Sequence, residues 1–179
     1  MITSFIHSFW LYLNSAEFFN TVVHNRFYLI FLVITLSFIK RHTFNGMLMT
    51  SLVNIPGTIL HEIAHFMVGL VLNAKPASFN LLPKRRDNVY VMGSVGFRNI
   101  KFYNAFPSAM APLLLLPIAY WLNEYFLVTT IWRYIFFILL ETIIIENAIP
   151  SATDFKVAFS SPLGLLFYVA VACAITLFL

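Results

Sequence analysis

The chain has 179 residues, 60% apolar and only 10% charged, with a net charge of +4 and a mean hydropathy of +0.85. An average soluble domain is roughly 45–50% apolar and about 25% charged, so this balance excludes an ordinary water-soluble enzyme. The basic excess lies in short connections and speaks for orientation in a membrane rather than for nucleic acid.

The length allows a single domain, 1–179, with no room for a separate soluble module. The lone Cys173 excludes an internal disulfide framework. Residues 1–23 mix Phe5, Phe9, Trp10, Phe18 and Phe19 with Ser, Asn, His7 and Glu17, and they lack a basic leader. They read as an interfacial helix or a short span. Apolar runs then recur at 26–40, 47–73, 104–123, 126–149 and 158–179, each near the ~20 residues that cross a bilayer core of ~30 Å. Residues 74–103 form a polar connection. Within it, "NVYVMGSVGFRNIKF" is β-rich and punctuated by Gly93 and Gly96, which predicts a strand pair. The expected fold class is an all-α polytopic membrane protein of about five transmembrane helices, six if residues 1–23 also cross. A small β-hairpin separates the spans that carry the chemistry.

Basic residues set the expected orientation. Arg26, Lys75, Lys84, Arg85, Arg86, Arg98, Lys101 and Lys156 gather on one side, and Lys40, Arg41 and Arg133 on the other. The basic side is normally cytoplasmic, so the expectation is a multi-pass protein with its C-terminus outside. Lys84, Arg85 and Arg86 read as anchors to anionic headgroups.

The second run contains "ILHEIAHFMVGL", with His61, Glu62 and His65 as its polar residues. A polar group stranded among apolar ones costs several kcal/mol unless it is satisfied. Residues four apart on a helix lie about 40° apart around its axis, so His61 and His65 share a face and can hold one ion. Glu62 projects beside them, close enough to reach a water on that ion. This is the HExxH arrangement, in which two imidazoles bind zinc and the glutamate acts as general base. Pro56 and Gly57 just upstream loosen the helix and make room.

A hydrolytic zinc needs a third protein ligand and an open fourth position. The remaining carboxylates are Glu17, Asp87, Glu124, Glu141, Glu146 and Asp154. Glu124 falls on the outer side, and Glu17 and Asp87 in weakly placed regions. The run at 126–149 ends in "ENAIPSATDF" on the side that carries the motif. Pro150 breaks that helix, so Asp154 can turn back toward the site. Asp154 is the preferred third ligand and Glu146 the alternative.

"HEIAH" and "NAIPSATD" together resemble the site-2 protease family of intramembrane zinc metalloproteases, and "SAMAPLL" (108–114) is similar to that family's Ala-Gly-Pro segment. The resemblance covers roughly 47–155. It implies that His61, His65 and Asp154 bind Zn2+, that Glu62 is catalytic, and that Asn147 is an oxyanion or substrate contact. Substrates would be membrane proteins or peptides cut within or near the bilayer. The chain departs from the family in reading Thr-Asp-Phe at 153–155 and in carrying Ala111 where Gly is common.

A substrate helix must unwind before attack. A strand edge at 89–100 could hold it extended, with Gly93 and Gly96 permitting close backbone approach; an ordinary interfacial hairpin is the competing reading. A divalent-metal transporter and a non-catalytic membrane adaptor with a metal site are the alternatives to a protease. A transporter would need more polar residues along a through-path.

Overall fold

The computed structural model describes residues 2–22, 25–43, 47–81, 84–86, 89–91, 93–126 and 129–178. They form a mostly helical structure with short antiparallel strands. In chain order the elements are α1 (Ile2–Leu13), α2 (Ala16–Val22), α3 (Arg26–Thr43), α4 (Met47–Val71), β1 (Pro76–Asn80), β2 (Lys84–Arg86), β3 (Val89–Val91) and β4 (Ser94–Phe97). There follow α5 (Phe102–Ala109), a 3-10 turn (Ala111–Leu114), α6 (Leu115–Tyr125), α7 (Ile131–Asn147), α8 (Ala152–Phe159) and α9 (Pro162–Phe178). The chain divides into two compact units, residues 1–50 with 116–146 and residues 51–115 with 147–179.

The first unit is organised around Leu29 and Val33 of α3 and Tyr134, Phe137 and Ile138 of α7. Phe137 is fully buried and stacks on Phe126, while Phe18 meets Tyr134 edge-on. The opposite face of α3 carries Phe27, Phe31, Ile34 and Phe38, all exposed. Their spacing of three and four residues makes one apolar stripe on the outside of the helix. Lys40 and Glu146 form an ion pair in this unit.

The second unit carries the polar motif. Its helix α4 ends in a Schellman motif, in which the Asn73 N–H donates to Leu70 O and the Ala74 N–H to Gly69 O. Asn73 takes the left-handed conformation this cap demands, at φ 56°. Lys75, at φ 53°, is a second such residue. The return of the chain is tied to this corner: the Arg98 N–H donates to Lys75 O and the Asn99 N–H to Ala74 O. The buried Asn104 side chain donates to Leu72 O and Asn99 O. Helix α5 then packs on α8 and α9. A Cβ at Gly164 would overlap the Phe102 carbonyl oxygen, so only glycine lets α9 approach the start of α5 this closely.

The strands correct one expectation. Among the described residues, 89–91 and 93–100 do not pair with each other. β3 pairs with β2, Arg85 opposite Tyr90, and β4 pairs with β1, Phe79 opposite Val95. The two ladders are nested. Gly93 is used for close approach to α4 rather than for chain reversal, because a Cβ there would sit 2.7 Å from Thr58 Cγ2. Gly96 lies inside β4 opposite Ser78.

Helices α3, α4, α7 and α9 follow the expected apolar runs, but the run at 104–123 is broken into α5, a 3-10 turn and α6, and among the described residues no single helix is long and apolar enough to cross a membrane. The reasons are local. α3 is bounded by Arg26, Lys40 and Arg41, and α4 is long enough but interrupted by Asn54, His61, Glu62 and His65. α9 is apolar but short. Two pairs separated by short breaks, 102–109 with 111–125 and 131–147 with 152–159, have the length and composition together.

Candidate metal centre

His61 and His65 lie one turn apart on α4, and their orientation is set by their outer nitrogens. His61 Nδ1 is 2.8 Å from the carbonyl oxygen of Asn147, and His65 Nδ1 is 2.7 Å from that of Ser108. A carbonyl only accepts, so both Nδ1 atoms carry the proton. In the neutral rings each Nε2 is then an acceptor. The two Nε2 atoms nevertheless face each other at 3.1 Å.

Asp154 joins them. Its Oδ2 is 3.4 Å from His61 Nε2 and its Oδ1 is 3.3 Å from His65 Nε2. Three acceptors so converged repel one another unless a cation lies between them. Their ligand atoms all fall within 4.8 Å of one another, so His61, His65 and Asp154 can hold a metal ion. An ion in tetrahedral coordination with bonds of ~2.0–2.1 Å places its ligands about 3.3–3.4 Å apart. The two Nε2 atoms are 3.1 Å apart and each lies 3.3–3.4 Å from one of the two Asp154 carboxylate oxygens, close to this spacing.

The sequence does not obviously demand that Asp154 point here; its local fold does. Pro150 ends the preceding helical stretch, because it lacks an N–H and disfavours helical geometry in the residue before it. Ser151 then caps α8. Its Oγ accepts from the Asp154 N–H at 3.2 Å, while Asp154 Oδ2 accepts from the Ser151 N–H at 2.6 Å. This reciprocal capping box fixes the carboxylate within the first turn of α8. Ser151 was not among the residues singled out from the sequence, although Ser-Ala-Thr-Asp carries the spacing of a capping box.

Glu62 is buried beside the pair, at 6% exposure. It is not one of the three convergent ligands. Its carboxylate accepts from the Val95 backbone N–H, and a Cβ on Gly93 would lie 2.7 Å from its Oε1. The start of β4 therefore rests directly on this side chain. Asn147 comes to the site in two ways. Its carbonyl holds His61, and its side-chain amide fills the space over Gly57, where a Cβ would overlap it.

Of the residues expected from sequence, His61, Glu62, His65, Asn147, Asp154 and Gly93 are thus brought together. Gly96 faces Ser78 instead. Glu146, the alternative ligand, is engaged by Lys40. Asp87 lies outside the described residues. Gly57, expected to make room at the site, is where the Asn147 amide packs, while Ser108, Val95 and Ser151 enter the site only through the structure. Comparison with family models, with curated proteins and with solved structures gives no match.

Proposed function

We propose that this chain is an intramembrane zinc metalloendopeptidase of the site-2 protease kind. The observation that carries this reading is the convergence of three acceptors, His61, His65 and Asp154, with a buried non-ligating glutamate one residue from the first histidine. Two imidazoles, one carboxylate and a free glutamate are the complement of a hydrolytic zinc site with one position left for water. A structural zinc would have four protein ligands.

His61, His65 and Asp154 would hold the zinc ion, which would supply Lewis-acid activation of a water and of the scissile carbonyl. Glu62 takes the proton from the attacking water and returns it to the leaving amine. The Asn147 and Ser108 carbonyls keep His61 and His65 in the tautomer that leaves Nε2 free to ligate. The Asn147 amide would serve as a substrate contact. An extended peptide would be held along the strand edge near Gly93 and Gly96, its backbone supplying the hydrogen bonds and its side chains the specificity.

The surround supports a bilayer. Within the second unit the polar groups Glu62, His65, Asn104 and Ser108 are buried, while Leu163, Leu166 and Val169 of α9 are exposed. In the first unit the apolar residues of the α3 stripe are exposed. On this reading the protein is multi-pass, with about five spans of which two are broken helices, and the active site opens toward the basic, cytoplasmic side. Substrates are membrane proteins or peptides.

Cleavage of a membrane-helix reporter in proteoliposomes tests the function. Wild-type protein should cleave and contain about one zinc per chain, and Glu62→Gln should keep the zinc while losing cleavage. A Glu62→Gln protein that still cleaves would exclude this chemistry. An adaptor would be indifferent to the change, and a transporter would instead show uptake of the ion.

A further inference from the structure

Glu62 is held from outside its own helix. Resting on the protease reading for its functional meaning, we infer that residues 93–95, at the start of β4, are a positioning device for the general base. The Val95 N–H orients the Glu62 carboxylate, and the missing side chain of Gly93 is what allows the strand to come that close.

Three observations converge. The Val95 backbone N–H donates to the Glu62 carboxylate. A Cβ at Gly93 would meet Glu62 Oε1 at 2.7 Å, Glu62 Cγ at 2.9 Å and Thr58 Cγ2 at 2.7 Å. Ordinary van der Waals contact begins near 3.4 Å, so any larger residue displaces the strand or the carboxylate by several tenths of an ångström. Finally, the strand cannot simply drift. β4 is paired with β1, and the far end of that ladder is pinned at the α4 corner through Arg98 to Lys75 and Asn99 to Ala74.

The chemical need is specific. Glu62 sits next to two metal ligands but must not become one. A long, unrestrained carboxylate one residue from His61 could swing toward a divalent ion and occupy the water's position. A backbone N–H is a donor that costs no side-chain entropy to hold in place, and it reserves one carboxylate oxygen. The other oxygen is then free to receive the proton. Since a misplacement of about 1 Å can cost on the order of 100-fold in rate, a clamp of this kind acts on kcat.

Two measurements test it. In the first, Gly93→Ala and Val95→Pro are compared with wild type for zinc content, kcat and KM. Proline removes the donor at residue 95. Both variants should retain zinc and lose about 100-fold in kcat. An intact kcat, whether or not KM rises, would leave residues 93–95 with the substrate contact alone and no hold on Glu62, and loss of zinc would make them a structural prop; either overturns the inference. The second measurement needs no turnover. Hydrogen exchange of the Val95 amide, followed in protein as purified, should speed up at least tenfold in Glu62→Ala while the amides of α5 are unchanged. An unchanged Val95 rate overturns the contact. If wild-type protein cleaves nothing, the protease reading falls while the exchange experiment still decides whether β4 clamps Glu62.

Discussion

Replacing Gly57 by alanine separates local propensity from tertiary packing. In a helix interior alanine is normally favoured over glycine by about 0.8–1.0 kcal/mol, so on α4 alone Gly57→Ala should stabilise. The structure offsets that gain. The new Cβ would overlap the Asn147 side-chain amide, with Oδ1 at 2.8 Å as the least crowded of its atoms. Overpacking of this kind costs typically 1–3 kcal/mol, enough to cancel the propensity gain. The functional cost exceeds the structural one. Pushing Asn147 away also moves the carbonyl that receives the His61 Nδ1 proton at 2.8 Å. Loss of such a partner to a ligating histidine weakens metal binding by about 10–100-fold, or about 1.4–2.8 kcal/mol. Competition against a chromogenic chelator in detergent would measure this, with thermal unfolding of the metal-free protein as the parallel readout. The expected result is near-unchanged apoprotein stability with zinc affinity lowered at least tenfold. Asn147→Ala removes the clashing amide but keeps the backbone carbonyl, so adding it to Gly57→Ala should recover most of the affinity, relative to Asn147→Ala alone. An affinity for Gly57→Ala within twofold of wild type, or a double variant no better than the single one, would refute the steric route.

Asp154→Ala should purify without zinc and be inactive, whereas Glu146→Gln, which loses only its ion pair with Lys40, should keep the metal. The reverse pattern in metal analysis would overturn the ligand assignment. Ser151→Ala removes the hydroxyl that caps α8 and should cost about 1 kcal/mol of stability, together with a measurable fall in zinc affinity. Equal affinity for wild type and variant would mean that the Ser151 backbone N–H alone holds the carboxylate. For topology, single cysteines in a Cys173→Ser background should label from the cytoplasmic side at Arg98 and Lys156 and from the outside at Glu124. The opposite labelling would place the site on the other face of the membrane.

The sequence by itself determined the helical runs and the metal pair. Apolar stretches, broken by Pro150 and by the polar residues at 74–103, gave the boundaries of α3, α4 and α7 to within a few residues, since period and helix breakers are local properties, but not the break at 110–114 inside the run at 104–123. HExxH spacing likewise follows from one helix alone, because four residues per near-turn put His61 and His65 together whatever surrounds them. The third ligand was only half legible. That Pro150 turns the chain is local, but choosing Asp154 over Glu146 required knowing where each carboxylate ends up, and Lys40, more than a hundred residues from Glu146, takes the latter. The strand pairing was misplaced for a similar reason. Glycines at 93 and 96 signal either reversal or close approach, and only the neighbour across the gap distinguishes them: Glu62 and Thr58 for Gly93, Ser78 for Gly96. The backbone carbonyls of Ser108 and Asn147 leave no mark in the sequence at all, because every residue has a carbonyl. Which ones face His65 and His61 was decided solely by how α4, α5 and the segment after α7 come together within one folded unit.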